Sequence, residues 1–318
     1  MTLKSKLIVL IGPTAVGKTK TSIELAKAFN GEIISGDSMQ IYKHMDIGTA
    51  KIKPEEMEGI PHYLIDIKHP SDSFSAAEFQ ELVRGKISEI TSRGKLPIIA
   101  GGTGLYIQSV LFDYQFSEAP SNDEFRNRLE WQAEKEGNLF LHNQLLELDP
   151  ESAAKIHPNN VRRVIRALEI YHCTGKTMSE WQETQEREPL YDAAIIGLTM
   201  ERDKLYTRIN KRVDMMIQEG LITEVEQLFQ QGIRDCQSIQ AIGYKELYDY
   251  FDGRVSLDAA VENLKQNSRR YAKRQLTWFR NKMDVKWFDM TAADQEPEKK
   301  INEIFSYIEG KLKIKSNT

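Results

Sequence analysis

The chain has little cysteine and no long apolar run. Cys173 and Cys236 are the only cysteines in 318 residues, which excludes a disulfide framework and a zinc site built on several cysteines. No apolar run reaches the roughly 18 residues that a membrane-spanning helix needs, and the run Leu7–Ile11 is too short for the core of a signal peptide. These absences predict a cytoplasmic protein with no membrane partner.

Net charge is also small. The 43 basic and 47 acidic residues give −4 at pH 7, whereas proteins that bind nucleic acids are usually basic. Taken alone, the balance disfavours an RNA partner. The apolar fraction of 40% and the charged fraction of 28% are typical of a globular protein, and the length suffices for one large or two modest domains.

Apolar runs alternate with helical patterns in the first third of the chain. We predict strands at Leu7–Ile11, Glu32–Ser35, His62–Ile65, Leu96–Ala100, Ala193–Leu198 and, more weakly, Val285–Phe288. Helical spacing of apolar residues marks Lys18–Phe29 and Ala76–Ser92. Strands that alternate with helices predict an α/β fold, a parallel sheet flanked by helices like that of the P-loop NTPases.

No strand pattern appears between residues 117 and 190. This stretch is helical, charged and bounded by two predicted strands, so we predict an all-helical domain inserted at 117–190. Residues 1–116 and 191–318 would then form the catalytic core and a helical C-terminal region. In that region we interpret Gly220, Gly232, Gly243 and Gly253 as helix stops.

A phosphate-binding loop follows the first predicted strand and opens the first helix. Every fixed position of the P-loop pattern is present in Gly12, Pro13, Thr14, Ala15, Val16, Gly17, Lys18 and Thr19. The glycines let the backbone curl around phosphate oxygens, Lys18 supplies a positive charge, and the Thr19 hydroxyl is a ligand for Mg²⁺. The pattern predicts that a di- or triphosphate binds here.

The carboxylate that usually accompanies such a loop in ATP-hydrolysing enzymes is missing. The strand Leu96–Ala100 ends in Gly101-Gly102-Thr103-Gly104, with no Asp or Glu to hold the metal. That absence disfavours an ATP-driven motor and allows chemistry in which diphosphate is the leaving group.

Two other polar residues are expected at the same edge of the sheet. Asp37 follows the strand Glu32–Ser35, and Thr103 follows Leu96–Ala100; the carboxyl ends of parallel strands gather at one edge. Asp37 is a candidate base and Thr103 a candidate hydroxyl donor beside the loop. The alternative is structural, since Asp37 has the chemistry of a turn cap and Thr103 that of a helix N-cap.

Several longer motifs resemble the tRNA dimethylallyltransferase family, in its bacterial form. They are Gly12–Thr19, Ile34–Lys43, Met45–Lys51, Gly101–Tyr106, Asn160–Tyr171, Ala241–Glu246 and Ala272–Phe279. The resemblance implies transfer of a dimethylallyl group from dimethylallyl diphosphate to N6 of the adenosine immediately 3′ of the anticodon. The P-loop would hold the prenyl diphosphate, with Lys18, Thr19 and Mg²⁺ on the leaving group.

The resemblance also implies roles for other side chains. Asp37 would accept the N6 proton, and Thr103 would bond to the bridging oxygen of the diphosphate. Arg208 would add a second cation, with Arg212 as the alternative. The anticodon stem-loop would be contacted by Asp37, Ser38, Met39, Gln40, Thr103, Arg126, Arg162, Arg163, Val164, Ile165, Arg166, Gln240, Gly243, Tyr244, Lys245, Arg269 and Lys273. One chain carries all these parts, so we expect a monomer.

The segment Lys265–Lys282 revises the argument from net charge. It has seven basic residues and no acidic one, so the small total hides a segregation of charge. At helical spacing Lys265, Arg269, Lys273 and Arg280 share one face, opposite an apolar stripe of Leu264, Tyr271 and Trp278. We interpret the basic face as a phosphate-contacting surface; the alternative is a merely solvated helix face.

Three other functions remain open from the sequence. One is an adenylate dimethylallyltransferase that acts on free AMP, ADP or ATP, although so small an acceptor leaves the insertion and the basic helix unexplained. Another is a small-molecule kinase that uses the loop for ATP. The third is a non-catalytic nucleotide-binding module, which Asp37 and Thr103 disfavour.

Overall fold

The structure is a computed structural model, and it describes residues 4–114, 116, 122–183 and 188–317. The chain forms two compact units, one of Met1–Leu111 with Pro189–Thr318 and the other of Phe112–Glu188. The sequence predicted the inserted domain at 117–190, and both ends of the smaller unit lie within a few residues of those bounds. Residues 117–121 and 184–187 of that stretch lie outside the described residues. No helix among the described residues is long and apolar enough to cross a membrane.

The larger unit is built on a parallel sheet of six described strands. They are β1 (Lys6–Ile11), β2 (Gly31–Gly36), β3 (His62–Tyr63), β4 (Leu96–Gly101), β5 (Asp192–Thr199) and β6 (Lys286–Asp289). Their order is β3-β2-β4-β1-β5-β6, so β2, β4 and β1 are neighbours. The α/β fold with a parallel sheet is thereby confirmed, as are its six strands.

One strand is shorter than the sequence predicts. The prediction was His62–Ile65, but β3 stops at Tyr63 because Leu64 and Asp66 have left-handed backbone conformations, with φ of 61° and 57°. Such conformations are incompatible with an extended ladder.

Helices cover the sheet and form the C-terminal region. They are α1 (Lys18–Ala28), α2 (Ala76–Ser92), α3 (Gly104–Leu111), α9 (Arg202–Gln218), α10 (Leu221–Gln230), α11 (Tyr244–Phe251), α12 (Leu257–Lys282) and α13 (Pro297–Leu312). Residues Leu7–Ile11 of β1 are completely buried, as expected for a parallel strand covered on both faces. The interpretation of Gly243 as a helix stop is wrong: it precedes α11, and its N–H donates to Glu246 Oε2 at 2.7 Å.

The smaller unit contains only helices among its described elements. These are α4 (Asp123–Glu136), α5 (Asn138–Leu148), α6 (Pro150–Lys155), α7 (Val161–Thr174) and α8 (Met178–Glu183). They enclose an apolar core of their own, to which Leu129, Leu141 and Leu168 contribute. The helical character of the insertion thus agrees with the sequence pattern.

Candidate active site

The loop between β1 and α1 adopts backbone conformations that need glycine. Gly12 has φ of 153° and Gly17 of 108°, and a Cβ on Gly12 would approach the Leu198 carbonyl oxygen to 2.7 Å. Glycine adopts such angles without steric cost. The loop can therefore curve around an anion at the N-terminus of α1, where the helix dipole also favours negative charge.

Lys18 is folded back onto this loop. Its Nζ donates hydrogen bonds to the carbonyl oxygens of Gly12 and Pro13, each at 2.8 Å. Burial lowers the pKa of Lys18 to about 8, although the nearby Asp37 carboxylate opposes the shift. Among the residues that the structure describes, these two carbonyl oxygens are the hydrogen-bond partners of the ammonium group.

Asp37 lies just beyond the end of β2. Its Oδ1 accepts a hydrogen bond from the Met39 N–H at 2.8 Å. Asp37 therefore caps the turn after β2, as the structural alternative in the sequence analysis predicted. Burial raises the pKa of Asp37, while the Met39 N–H and the Lys18 charge act in the opposite direction. A carboxylate has about four acceptor positions, so capping the turn leaves capacity to accept a proton.

Thr103 reaches the same place from β4. Its N–H donates to the Gly36 carbonyl oxygen at 3.2 Å, and its Oγ1 accepts from the Ser38 N–H at 3.1 Å. The side chain therefore bonds across to the turn after β2. Lys18, Thr19 and Asp37 also line one small cavity of about 70 Å³. The structure thus brings the P-loop, Asp37 and Thr103 together at the carboxyl edge of three neighbouring strands.

The structure places Arg212 beside the P-loop cavities, whereas the sequence favoured Arg208 as the second cation. Arg208 Nη1 lies 3.6 Å from Asp294 Oδ1. Arg212, one helical turn further along α9, lines two cavities that adjoin the P-loop, one of about 960 Å³ at Thr19 and one of about 310 Å³ at Thr14 and Ala15. Burial lowers its pKa, and the charge of Asp37 opposes that shift. Of these two arginines of α9, Arg212 is therefore the one that lines the cavities beside the P-loop.

A cavity of about 310 Å³ adjoins the P-loop at Thr14 and Ala15. Residues that the resemblance assigned to RNA contact line it, namely Asp37, Ser38, Met39, Gln240, Gly243 and Lys245. Further polar side chains in its wall are Thr49, Arg212, Ser268, Tyr271 and Arg274. Predictions from distant parts of the sequence thus converge on one cavity, with Asp37 in its lining.

Two side chains of α12 belong to the site although the sequence had not marked them as functional. Gln275 accepts from the Thr14 N–H and donates to the Gly102 carbonyl oxygen, both at 3.0 Å. Tyr271 lines a cavity beside the P-loop, and burial together with the Asp37 charge raises the pKa of its phenol group. The available signal was a glutamine on the buried face of an amphipathic helix. Tyr271 had been assigned to the apolar stripe.

Some predicted RNA contacts in the larger unit are already engaged inside the protein. Tyr244 is completely buried, and its hydroxyl donates to Glu224 Oε1 at 2.6 Å. The same carboxylate accepts from the Ile47 and Gly48 N–H groups, so Tyr244 supports the loop Met45–Lys51. The structure therefore corrects the prediction at Tyr244, whose side chain has no exposed surface to offer RNA.

Gln40 is likewise committed to the protein. Its Nε2 donates to the carbonyl oxygens of Thr49 and Ala50 at 3.2 and 3.3 Å, and its Oε1 accepts from Ser35 Oγ. Gln40 thus links Ser35 of β2 to the loop Met45–Lys51. In this structure Gln40 shapes the wall of the site.

The basic residues of α12 differ in how they are used. Lys265 Nζ pairs with Asp214 Oδ1 at 2.6 Å, and Arg269 bonds to Asn210 and Glu262. Although Lys265–Lys282 contains no acidic residue, two of its basic side chains have partners, which lie on α9 and on an earlier turn of α12. Arg270, Lys273, Arg274 and Arg280 are exposed.

Predicted RNA contacts in the smaller unit also divide into two groups. Val164 and Ile165 lie in its apolar core, 0% and 4% exposed, so the prediction that they contact RNA is corrected: they support α7. Arg162 and Arg163 are exposed.

Arg126 and Arg166 converge on one buried carboxylate. Arg126 Nε lies 2.7 Å from Glu169 Oε1, and Arg166 Nη1 lies 2.6 Å from Oε2. Burial of Glu169 opposes ionisation, but the hydrogen bonds from both arginines and from the Asn122 N–H outweigh it and lower the pKa of Glu169. Both arginine side chains are about a third exposed.

Comparison with known proteins matches these features. The IPP transferase family model covers residues 40–282. A relative from Anoxybacillus flavithermus, named tRNA dimethylallyltransferase, is 68% identical over 98% of this chain and 99% of its own.

Solved structures agree with that match. A tRNA isopentenylpyrophosphate transferase from Bacillus halodurans is 57% identical, with a TM-score of 0.74 over 98% of this chain and 97% of that one. A eukaryotic dimethylallyltransferase described as acting on tRNA is 32% identical, with a TM-score of 0.82 over 99% of this chain and 81% of that one. The chain belongs to the IPP transferase family.

Proposed function

We propose that the protein transfers a dimethylallyl group from dimethylallyl diphosphate to N6 of the adenosine 3′ of the anticodon in tRNA. Relatives named for this reaction support the proposal, as does the likeness to a dimethylallyltransferase acting on tRNA. The observation that carries it is the meeting of Lys18, Asp37 and Thr103 at one edge of the sheet, beside a cavity lined by predicted RNA contacts.

The P-loop side of the site suits the leaving group. When the allylic carbon loses diphosphate it develops positive charge, so the enzyme must stabilise the departing anion and exclude water. Lys18 would exchange its two carbonyl partners for phosphate oxygens, with Arg212 as the second cation. The Thr103 hydroxyl would donate to the bridging oxygen as the C–O bond breaks and its electron pair leaves with diphosphate.

The cavity of about 310 Å³ suits the acceptor base. An adenosine must leave its loop to reach an enclosed site. The N6 amine would attack the allylic carbon to form the new C–N bond, and Asp37 would accept the proton that N6 loses. The raised pKa of Asp37, caused by burial, makes it a better proton acceptor than an exposed aspartate.

Mg²⁺, a monomeric state and a cytoplasmic location complete the proposal. Among the described residues no group of three or more His, Cys, Asp or Glu side chains could hold a metal ion. Thr19 lines the cavity beside Lys18, and Mg²⁺ is commonly held by few protein ligands together with substrate phosphates and water. Bound Mg²⁺ would neutralise charge on the diphosphate. All proposed groups come from one chain, and the substrate is a cytoplasmic RNA.

Radiolabelled dimethylallyl diphosphate tests the function with three acceptors. We expect the label to appear on N6 of the adenosine 3′ of the anticodon in an unmodified tRNA, and not on AMP. ATP without a prenyl donor should give no turnover. Label on AMP alone would indicate an adenylate dimethylallyltransferase, and ATP turnover without prenyl transfer would indicate a kinase.

Basic side chains of α12 provide a separate test of tRNA binding. We expect Arg269→Ala combined with Lys273→Ala to weaken tRNA binding. The slope of log K against log salt concentration should fall by about one for each phosphate group that the variant no longer neutralises. Lys299→Ala, an exposed lysine of α13 paired with Glu296, is the matched control. An unchanged slope in the double variant would contradict the RNA-facing role of α12.

A further inference from the structure

One carboxylate of α10 holds the loop Met45–Lys51. Glu224 Oε2 accepts from the Asp46 and Ile47 N–H groups at 2.9 and 2.8 Å. Its Oε1 accepts from the Gly48 N–H at 3.0 Å. Three consecutive N–H groups therefore point at a single anion, as they do in backbone sites that bind free anions. In this protein the anion is a side chain from a distant part of the sequence.

Four donors saturate the Glu224 carboxylate. The Tyr244 hydroxyl donates to Oε1 at 2.6 Å, so each oxygen of Glu224 accepts two hydrogen bonds. A carboxylate has about four acceptor positions, and all four are filled here. A glutamine could not replace it, because in either orientation its NH2 group would face backbone N–H donors.

Gly48 and Tyr244 are fitted to each other at this contact. A Cβ on Gly48 would lie 2.5 Å from Tyr244 Cε2, so any larger residue would displace either the ring or the loop. Tyr244 is completely buried, and in a close-packed interior its ring has little room to move. The loop, the phenol group and the carboxylate therefore hold one another in a single arrangement.

The residues that Glu224 binds lie in a wall shared by two cavities. Gly48 lines the cavity of about 310 Å³ proposed for the acceptor base. Asp46 and Ile47 line the cavity of about 960 Å³, and Ala50 of the same loop lines both. Glu224 is not among the residues that line either cavity, so its carboxylate acts on the site through the loop.

We propose that Glu224 is a positioning residue for the acceptor tRNA: its carboxylate keeps the loop Met45–Lys51 seated as a wall of the acceptor cavity before tRNA binds. This inference rests on the proposed function. A loop released from Glu224 must be reseated when tRNA binds, so the apparent affinity falls with the fraction of molecules in which the loop is seated. Once tRNA is bound the loop is in place, and the chemical step is unaffected.

Glu224→Gln is expected to raise the Kd for unmodified tRNA about tenfold, because hydrogen bonds to a charged group are lost and the loop is less often seated. The single-turnover rate at saturating tRNA and the Kd for inorganic diphosphate should stay within about twofold of wild type. A merely destabilised protein would instead show a smaller single-turnover amplitude with an unchanged tRNA Kd. Glu226→Gln is the matched control, the same substitution on α10 at a carboxylate that accepts from Gln230 Nε2 at 3.3 Å.

An unchanged tRNA Kd in Glu224→Gln, or an equal rise in Glu226→Gln, would overturn the inference. A parallel loss of diphosphate affinity would also overturn it, since the whole site would then be disturbed. Tyr244→Phe removes the bond of 2.6 Å and keeps the ring, and we expect it to raise the tRNA Kd about threefold; this variant decides if Glu224→Gln does not fold. Absence of prenyl transfer to a tRNA that the wild-type protein binds would overturn the proposed function, while the tRNA affinities would still test Glu224.

Discussion

Asp37→Asn is expected to lower kcat by about 10²–10⁴-fold, the range that positioned general bases contribute, while tRNA affinity changes little. Asparagine has nearly the same shape, and its Oδ1 can still accept the Met39 N–H that Asp37 accepts at 2.8 Å. The turn is therefore retained. The amide cannot accept the N6 proton, so only the chemical step loses its base.

The measurement is single-turnover transfer at saturating donor and tRNA, with tRNA binding determined separately. Asp149→Asn is the matched control, because Asp149 Oδ1 caps α6 by accepting the Ser152 N–H at 3.0 Å and lies in the other unit. Equal single-turnover rates for Asp37→Asn and wild type would remove Asp37 from the mechanism and leave it a turn cap.

The acid limb of the pH profile provides a second test of Asp37. Because burial raises the pKa of Asp37 above its ordinary value, the base becomes protonated, and kcat/KM falls, at a higher pH than for an exposed aspartate. The Asp37→Asn variant should lack this limb. An acid limb that persists in the variant would assign it to another group.

The P-loop and the sheet could be predicted from the sequence because each depends on local pattern. Gly12 and Gly17 are required by the loop's own backbone, and the buried strands are continuous apolar runs bounded by helices. The position of Asp37 and Thr103 at one edge of the sheet could also be predicted, because neighbouring parallel strands place their carboxyl ends together. What local pattern could not give was the end of β3, which depends on left-handed residues after Tyr63.

Sequence spacing alone does not distinguish Arg208 from Arg212. The two residues are one helical turn apart on α9, so spacing puts them on the same face. Their difference arises from tertiary neighbours: Asp294 lies beside Arg208, whereas Arg212 lines the cavities. For the same reason the sequence did not show which cations of α12 are paired: Asp214 and Asn210, which bond to Lys265 and Arg269, lie on α9. Partners distant in sequence decide which charges remain exposed.

Lys18→Ala is expected to lower kcat/KM for dimethylallyl diphosphate by about 10²–10³-fold, the loss found when one preorganised donor to a developing anion is removed. The ammonium group lies beside the P-loop carbonyls, and a bound diphosphate would replace both of those weak partners with charged oxygens. Lys27→Ala is the matched control, since it removes a lysine from the other end of α1 that pairs with Glu58. A donor kcat/KM within twofold of wild type would contradict the assignment.

The pH profile distinguishes the charge of Lys18 from its shape. Burial lowers its pKa to about 8 in the free enzyme, so the side chain is charged below that pH and progressively neutral above it. The donor kcat/KM should therefore decline as pH rises through about 8, since this parameter reports ionisations of the free enzyme.

The Lys18→Arg variant provides the comparison. Its side chain keeps its charge throughout this pH range because a guanidinium group does not lose its proton. The variant should be less active at pH 7 but should show no alkaline decline. A decline at the same pH in both proteins would place the titrating group elsewhere. A decline confined to wild type would show that the positive charge on Lys18 stabilises the departing diphosphate.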